Sequence, residues 1–138
     1  MEARVKWAEG RTFLGTSTSG HSITFGNAYG EGEKPGPSAM EMILMGVGGC
    51  SAYDVISILE KSRQDVKDVD IVLTSERAET DPKVFTKVHL HFVVTGTGVD
   101  SKRVERAIGL SVDKYCSASA MVAKTAEVTH GFEIVEAG

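Results

Sequence analysis

From Met40 to Leu59 the chain is apolar on nearly every side of a helix, broken only by Glu41, Asp54 and a few small polar residues. Such a helix has almost no wet face to offer solvent, so the rest of the chain must be organised around it. Its start is written into the residues just upstream. Pro37 precedes it, and Ser38 with Glu41 three positions later forms the Ser-x-x-Glu capping box. Its wet end is Glu60-Lys61-Ser62-Arg63-Gln64-Asp65. The longest apolar window, Met40 to Cys50, is too short and too rich in glycine to span a bilayer. Met1 to Trp7 alternates like a strand rather than reading as a signal peptide, so no membrane partner is expected.

Short alternating segments flank this helix. Val5 and Trp7, then Phe13, then Ile23 and Phe25 predict three antiparallel strands, separated at Glu9-Gly10 and Ser19-Gly20. Gly26 to Pro37 holds four glycines and two prolines and reads as a loop. After the helix, Val69 to Leu73 and Val84 to Val94 predict a hairpin turning at Asp81-Pro82. Asp100-Ser101 caps a second helix with Val104, Ile108 and Leu110 to Val112 on its apolar face, and Val128 to Val135 predicts a last strand. The expected order is β-β-β-α-β-β-α-β, an α+β fold in one domain over residues 1–138, long enough to bury a core without staples.

The formal charge of −4 is spread without a basic cluster, so nothing tracks a phosphate backbone and no nucleic-acid partner is expected. Two cysteines and no export signal predict the reducing cytoplasm, where a standing disulfide is not expected and a transient one can form.

Those cysteines carry the chemistry. Cys50 follows Gly46, Gly48 and Gly49, and a glycine inside a helix costs about 1 kcal/mol relative to alanine. Three so close together imply that another backbone or a substrate presses on this face. Cys50 is then either a small buried hydrophobe or a nucleophile. To react it must ionise, and the helix N-terminus, about three turns away, is too far to help. Asp54, one turn on along the same face, opposes ionisation. A cation must therefore come from elsewhere, with Arg11 beside the first hairpin turn preferred over Arg77, Arg103 and Arg106. Cys116 lies where the second helix restarts; Ser117 would cap a short helix through Val122 and leave Cys116 beside spare backbone N–H groups. It is either a helix-corner filler or the partner of Cys50. His89 and His91 share a strand face but have no third ligand nearby, and the cysteines lack C-x-x-C spacing, so no metal is expected. His21 and His130 are expected at solvated turns. No Walker-type phosphate loop or G-x-S-x-G elbow occurs.

Pro37 to Val55, with Leu73-Thr74-Ser75-Glu76-Arg77, Phe85 to Val94 and Lys114-Tyr115-Cys116-Ser117, resembles the OsmC/Ohr family (osmotically inducible protein C and organic hydroperoxide resistance protein), in its small YhfA-type branch. The resemblance runs along essentially the whole chain, and the helix-borne Cys50 with Cys116 is its most specific part. It implies an intertwined homodimer with two central helices packed on antiparallel sheets. It also implies a thiol peroxidase in which Cys50 attacks an organic hydroperoxide and Cys116 resolves the sulfenic acid to a disulfide, with no bound cofactor and an external dithiol such as reduced lipoamide as reductant. The family's arginine falls near Arg11. Its glutamate, ten residues before the cysteine, falls on Met40, with Glu41 one position later. Met40, Met42, Met45 and Phe13 are the expected apolar lining, which would favour alkyl hydroperoxides. The missing glutamate and Asp54 motivate an alternative: a non-catalytic dimer of the same fold that binds a small apolar ligand or senses redox state.

Overall fold

The computed structural model describes residues 1–28 and 31–138. The expected element order is found: β1 (Ala3–Glu9), β2 (Thr12–Ser17), β3 (Ser22–Gly26), α1 (Ala39–Lys61), β4 (Asp65–Arg77), β5 (Phe85–Thr97), α2 (Ser101–Leu110), a π-helical turn (Ser111–Tyr115), α3 (Ser117–Val122) and β6 (Glu127–Glu136). The expected loop from Gly26 to Pro37 includes Tyr29 and Gly30, which lie outside the described residues; its other residues beyond Gly26 carry no helix or strand. The chain divides into two compact units, Met1–Leu44 and Met45–Gly138.

In the first unit β1, β2 and β3 form an antiparallel sheet. Its register aligns Trp7 with Phe13 and Phe13 with Phe25, and Val5 with Gly15 and Ile23, so one face is an apolar row. That face stays wet: Trp7 is 65% exposed and Val5 60%. The start of α1 is built as the sequence predicts. The Ser38 N–H donates to Glu41 Oε1 at 3.0 Å and the Glu41 N–H to Ser38 Oγ at 3.1 Å, satisfying two donors that the first helical turn cannot pair.

In the second unit β4, β5 and β6 form a sheet in that order, and Val88, Leu90, Phe92 and Val94 of β5 line its buried face. The expectation of wholly antiparallel sheets fails here, because β6 runs parallel to β5. The reason is the crossover: α2, the π-turn and α3 carry the chain back to the end where β5 began, and a parallel partner needs that kind of connection. Val104, Ala107 and Ile108 of α2 are buried. His130, expected at a turn, lies in β6 opposite Leu90, half-buried in register with Phe132 two residues on.

The helix α1 departs from expectation more usefully. Its buried residues are Val47, Gly48, Ser51, Val55 and Leu59, a stripe with spacing four, rather than most of its surface. Tyr53 is 74% exposed, Met45 55% and Ile56 37%. By length and composition α1 could cross a membrane, with a mean hydropathy of 1.7 in its most apolar window. Its 23 residues span about 35 Å, so the whole helix, and not Met40 to Cys50, is the segment to weigh.

Candidate functional site

The buried stripe of α1 puts Ser51 on the inner side and leaves Cys50 and Asp54, one turn apart, at its margin. Opposite them the π-turn widens the second helical segment. The Cys116 N–H reaches back five residues to the Ser111 carbonyl at 2.7 Å, and the chain then leaves helical geometry at Cys116. That exit turns the Cys116 side chain inward, where it is buried. Cys116 itself caps α3, its sulfur accepting the Ser119 N–H at 3.3 Å; the expected cap at Ser117 is thus displaced by one residue.

Cys50 Sγ, Cys116 Sγ and an Asp54 carboxylate oxygen all lie within 4.8 Å of one another. Three serines knit this cluster together. Ser51 Oγ donates to Cys116 Sγ at 3.4 Å and lies 3.5 Å from Ser119 Oγ. The Ser111 hydroxyl sits between the Ser51 carbonyl at 3.2 Å and Asp54 Oδ2 at 3.1 Å, able to donate to either. Ser51, Ser111 and Ser119 are all buried, and no buried side-chain polar atom among the described residues lacks a partner.

These contacts set the order in which the protons leave. Burial pushes the Cys50 thiol up, and so does its hydrogen bond to Cys116; the backbone N–H groups of Ala118 and Ser117 offset this only in part. Burial also opposes ionisation of Cys116, but hydrogen bonds from Cys50, Ser119 and Ser51 outweigh it and bring that thiol below its ordinary value. Within this unit the contacts favour ionisation of Cys116 ahead of Cys50, with Cys50 as the thiol that donates to it, the opposite order to an activated Cys50.

The other expected site residues divide between the units. Arg11, Phe13, Met40, Glu41 and Met42 belong to residues 1–44. Arg11 sits in the β1–β2 turn, its Nη1 donating to the Gly10 carbonyl at 2.9 Å. Phe13 stacks obliquely with Phe25, ring centroids 5.8 Å apart, and Met42 joins Val5, Gly15, Ile23 and Phe25 around a cavity of about 280 Å³. Met40 is half-buried at the first turn of α1. Glu41 is engaged as a cap, lies 3.6 Å from Lys34 Nζ, and is held below the usual carboxylate range by the Ser38 backbone N–H, the Ser38 hydroxyl and Lys34. In the second unit Met45 lines an apolar cavity of about 250 Å³ with Gly48, Gly49, Ala52, Val69, Ile71 and Leu73.

Known proteins share this fold along nearly the whole chain. The family model described as OsmC-like protein matches residues 30–131. Protein YhfA of Escherichia coli K12 is 54% identical over 137 residues, covering 99% of this chain and all of that protein. A hypothetical protein from Aquifex aeolicus VF5, known from its crystal structure, is 34% identical with a TM-score of 0.88, over 99% of this chain and 97% of that one. The organic hydroperoxide resistance protein OhrB of Bacillus subtilis has a TM-score of 0.65 over 96% of this chain and 98% of that one; at 14% identity it speaks to the fold alone.

Proposed function

The chain belongs to the OsmC-like family, and from that premise we propose that it is a thiol-dependent peroxidase for organic hydroperoxides, working through Cys50 and Cys116. The observation that carries this reading is the meeting of two sulfurs, 66 positions apart in sequence, within 4.8 Å on a packed scaffold that polarises one of them.

The chemistry follows from the shared proton. As Cys50 Sγ attacks an oxygen of the hydroperoxide, its proton passes along the S–H···S contact to the Cys116 thiolate. An S–O bond forms, the O–O bond breaks, and the departing alkoxide takes that proton to leave as the alcohol. Cys116, again a thiolate, then attacks the sulfur of the Cys50 sulfenic acid and expels hydroxide, closing a disulfide. An external dithiol restores both thiols. Gly49, the residue before Cys50, is in the wall of the apolar cavity under Met45 and Leu73, which favours an alkyl hydroperoxide over hydrogen peroxide.

The test is peroxide consumption with a dithiol reductant. Cys50→Ser brings it to background, and Cys116→Ser forms the sulfenic acid slowly and leaves it trapped. Full turnover by Cys50→Ser would end the reading. One observation favours a second reading, a redox sensor or apolar-ligand binder without turnover: burial holds Cys50 as a thiol. In that case the disulfide forms once with peroxide and no catalytic consumption follows.

A cytoplasmic homodimer is part of the same proposal. Gly46 and Gly49 have nothing within 4 Å of where a Cβ would stand, and they share the exposed side of α1 with Tyr53 and Ile56. A second copy laid on this stripe, and on the wet apolar row of the β1–β3 sheet, would remove both from water and account for the glycines.

A further inference from the structure

The peroxide reading uses two sulfurs and leaves Asp54 unexplained. A carboxylate beside a thiol pair hinders any step that puts negative charge on Cys50, yet here it is held in place, its Oδ2 within 3.1 Å of the Ser111 hydroxyl, while its oxygen stays within 4.8 Å of both sulfurs. The geometry points to a second use: Cys50, Cys116 and Asp54 form a binding site for a thiophilic divalent cation, Zn²⁺ being the best match.

The argument is first one of distance. If three atoms all lie within 4.8 Å of one another, some point is no more than about 2.8 Å from each. Zinc sits about 2.3 Å from thiolate sulfur and about 2.0–2.2 Å from carboxylate oxygen, so side-chain shifts of roughly half an ångström close the site. Donor type agrees with distance: two thiolates select a soft or borderline cation over Mg²⁺ or Ca²⁺. Three protein ligands leave a fourth position open on the half-buried side of Cys50 and Asp54.

The surroundings are those of a prepared site. Ser51 Oγ and the Ser119 N–H already donate to Cys116 Sγ, and Ser111 Oγ orients the carboxylate, so each of these two ligands has its outer partner before a metal arrives. A cation also turns the local repulsion into attraction. Two thiolates and a carboxylate carry three negative charges, and Zn²⁺ compensates two. No electron moves. Below the first thiol step two S–H bonds break, two metal–sulfur bonds form and two protons go to solvent per metal bound. Above it, with Cys116 already ionised, only the Cys50 proton is released. Metal on the pair would shield both sulfurs from oxidation. The sequence hid this site because its ligands are 4 and 66 positions from Cys50, outside any C-x-x-C spacing.

The reduced protein, both thiols first counted with a thiol reagent, is titrated anaerobically with Cd²⁺ alone and then with Zn²⁺. Expected is an ultraviolet thiolate-to-cadmium charge-transfer band that saturates at one equivalent and is lost only under a large excess of Zn²⁺, because thiolates favour the softer cation. Zn²⁺ added to the metal-free protein releases two protons per metal below the first thiol step and one above it. Asp54→Asn weakens binding at least about tenfold, and Cys116→Ser at least about 100-fold. Zn²⁺ also slows disulfide formation by diamide. Absence of stoichiometric uptake by protein with two titratable thiols overturns the site, as does wild-type affinity in Cys116→Ser or Asp54→Asn. No peroxide is present, so this result is independent of whether the protein turns over hydroperoxides.

Discussion

Cys116 is the residue on which the site turns. A sulfur buried this deeply would ordinarily resist ionisation, but three donors converge on it, and their sum exceeds the burial cost. The pair therefore titrates as one unit: the first proton leaves below the ordinary thiol value, from Cys116, and the second above it, from Cys50. Ultraviolet thiolate absorbance against pH should show those two steps. Cys116→Ala removes the thiolate to which Cys50 donates, so the Cys50 step moves down while burial still keeps it above an exposed cysteine. Ser51→Ala removes one donor from Cys116 and moves the first step up. A single unsplit step in the wild type would contradict the arrangement. Because peroxide reduction by the shared-proton route needs the Cys116 thiolate, its rate should rise with pH through the first step. The two cysteines were legible in the sequence as a pair of interest; their charge order was not. It depends on Ser51 and Ser119, which look like ordinary small residues until the fold stacks them against Cys116. The one available signal was Ser51, a hydroxyl on an otherwise apolar helix stripe.

At the scale of elements, α1 shows what a sequence fixes and what it leaves open. Its N-terminus was legible to the residue, because a capping box is local chemistry needing only Ser38 and Glu41. Ser38→Ala should cost about 1 kcal/mol in urea unfolding. The carboxylate adds a pH signature. Glu41 is held below its usual value in the folded chain, so its contribution is fully present above the unfolded value of 4.5 and is lost as pH falls through the lower folded value. The stability difference between wild type and Ser38→Ala should therefore shrink on acidification across that window, and a difference constant from pH 7 down to pH 3 would contradict the cap. Which side of α1 is buried was not legible, since a helix apolar all round carries no directional signal. The direction of β6 was equally hidden. Its alternation gives the face, while parallel pairing depends on how far the α2–α3 crossover carries the chain.

For the molecule as a whole, the question is what covers the apolar surface that one chain leaves wet. Lipid and a second copy are the two candidates that α1 allows by length and hydropathy. The residues on its exposed side distinguish them. Gly46 and Gly49 leave open space that a facing helix can enter, and Tyr53, 74% exposed, supplies a large anchor beside it. Separately, residues 1–44 bury only Gly26 among the described positions, so the aromatic row of their sheet has no core of its own. Pairing two copies would meet both deficits. A dimer of the 14.7 kDa chain is accordingly expected in sedimentation equilibrium, free in buffer without detergent. Gly46→Leu or Tyr53→Glu, one filling the space and the other charging the anchor, should shift the equilibrium toward monomer by at least about tenfold, roughly 1.4 kcal/mol. Neither residue lies on the buried stripe, so Ala at the same positions separates pairing from folding: Gly46→Ala should hold or raise helix stability by up to about 1 kcal/mol. A wild-type chain that sediments as a monomer, or that needs detergent to stay in solution, would return α1 to the membrane alternative.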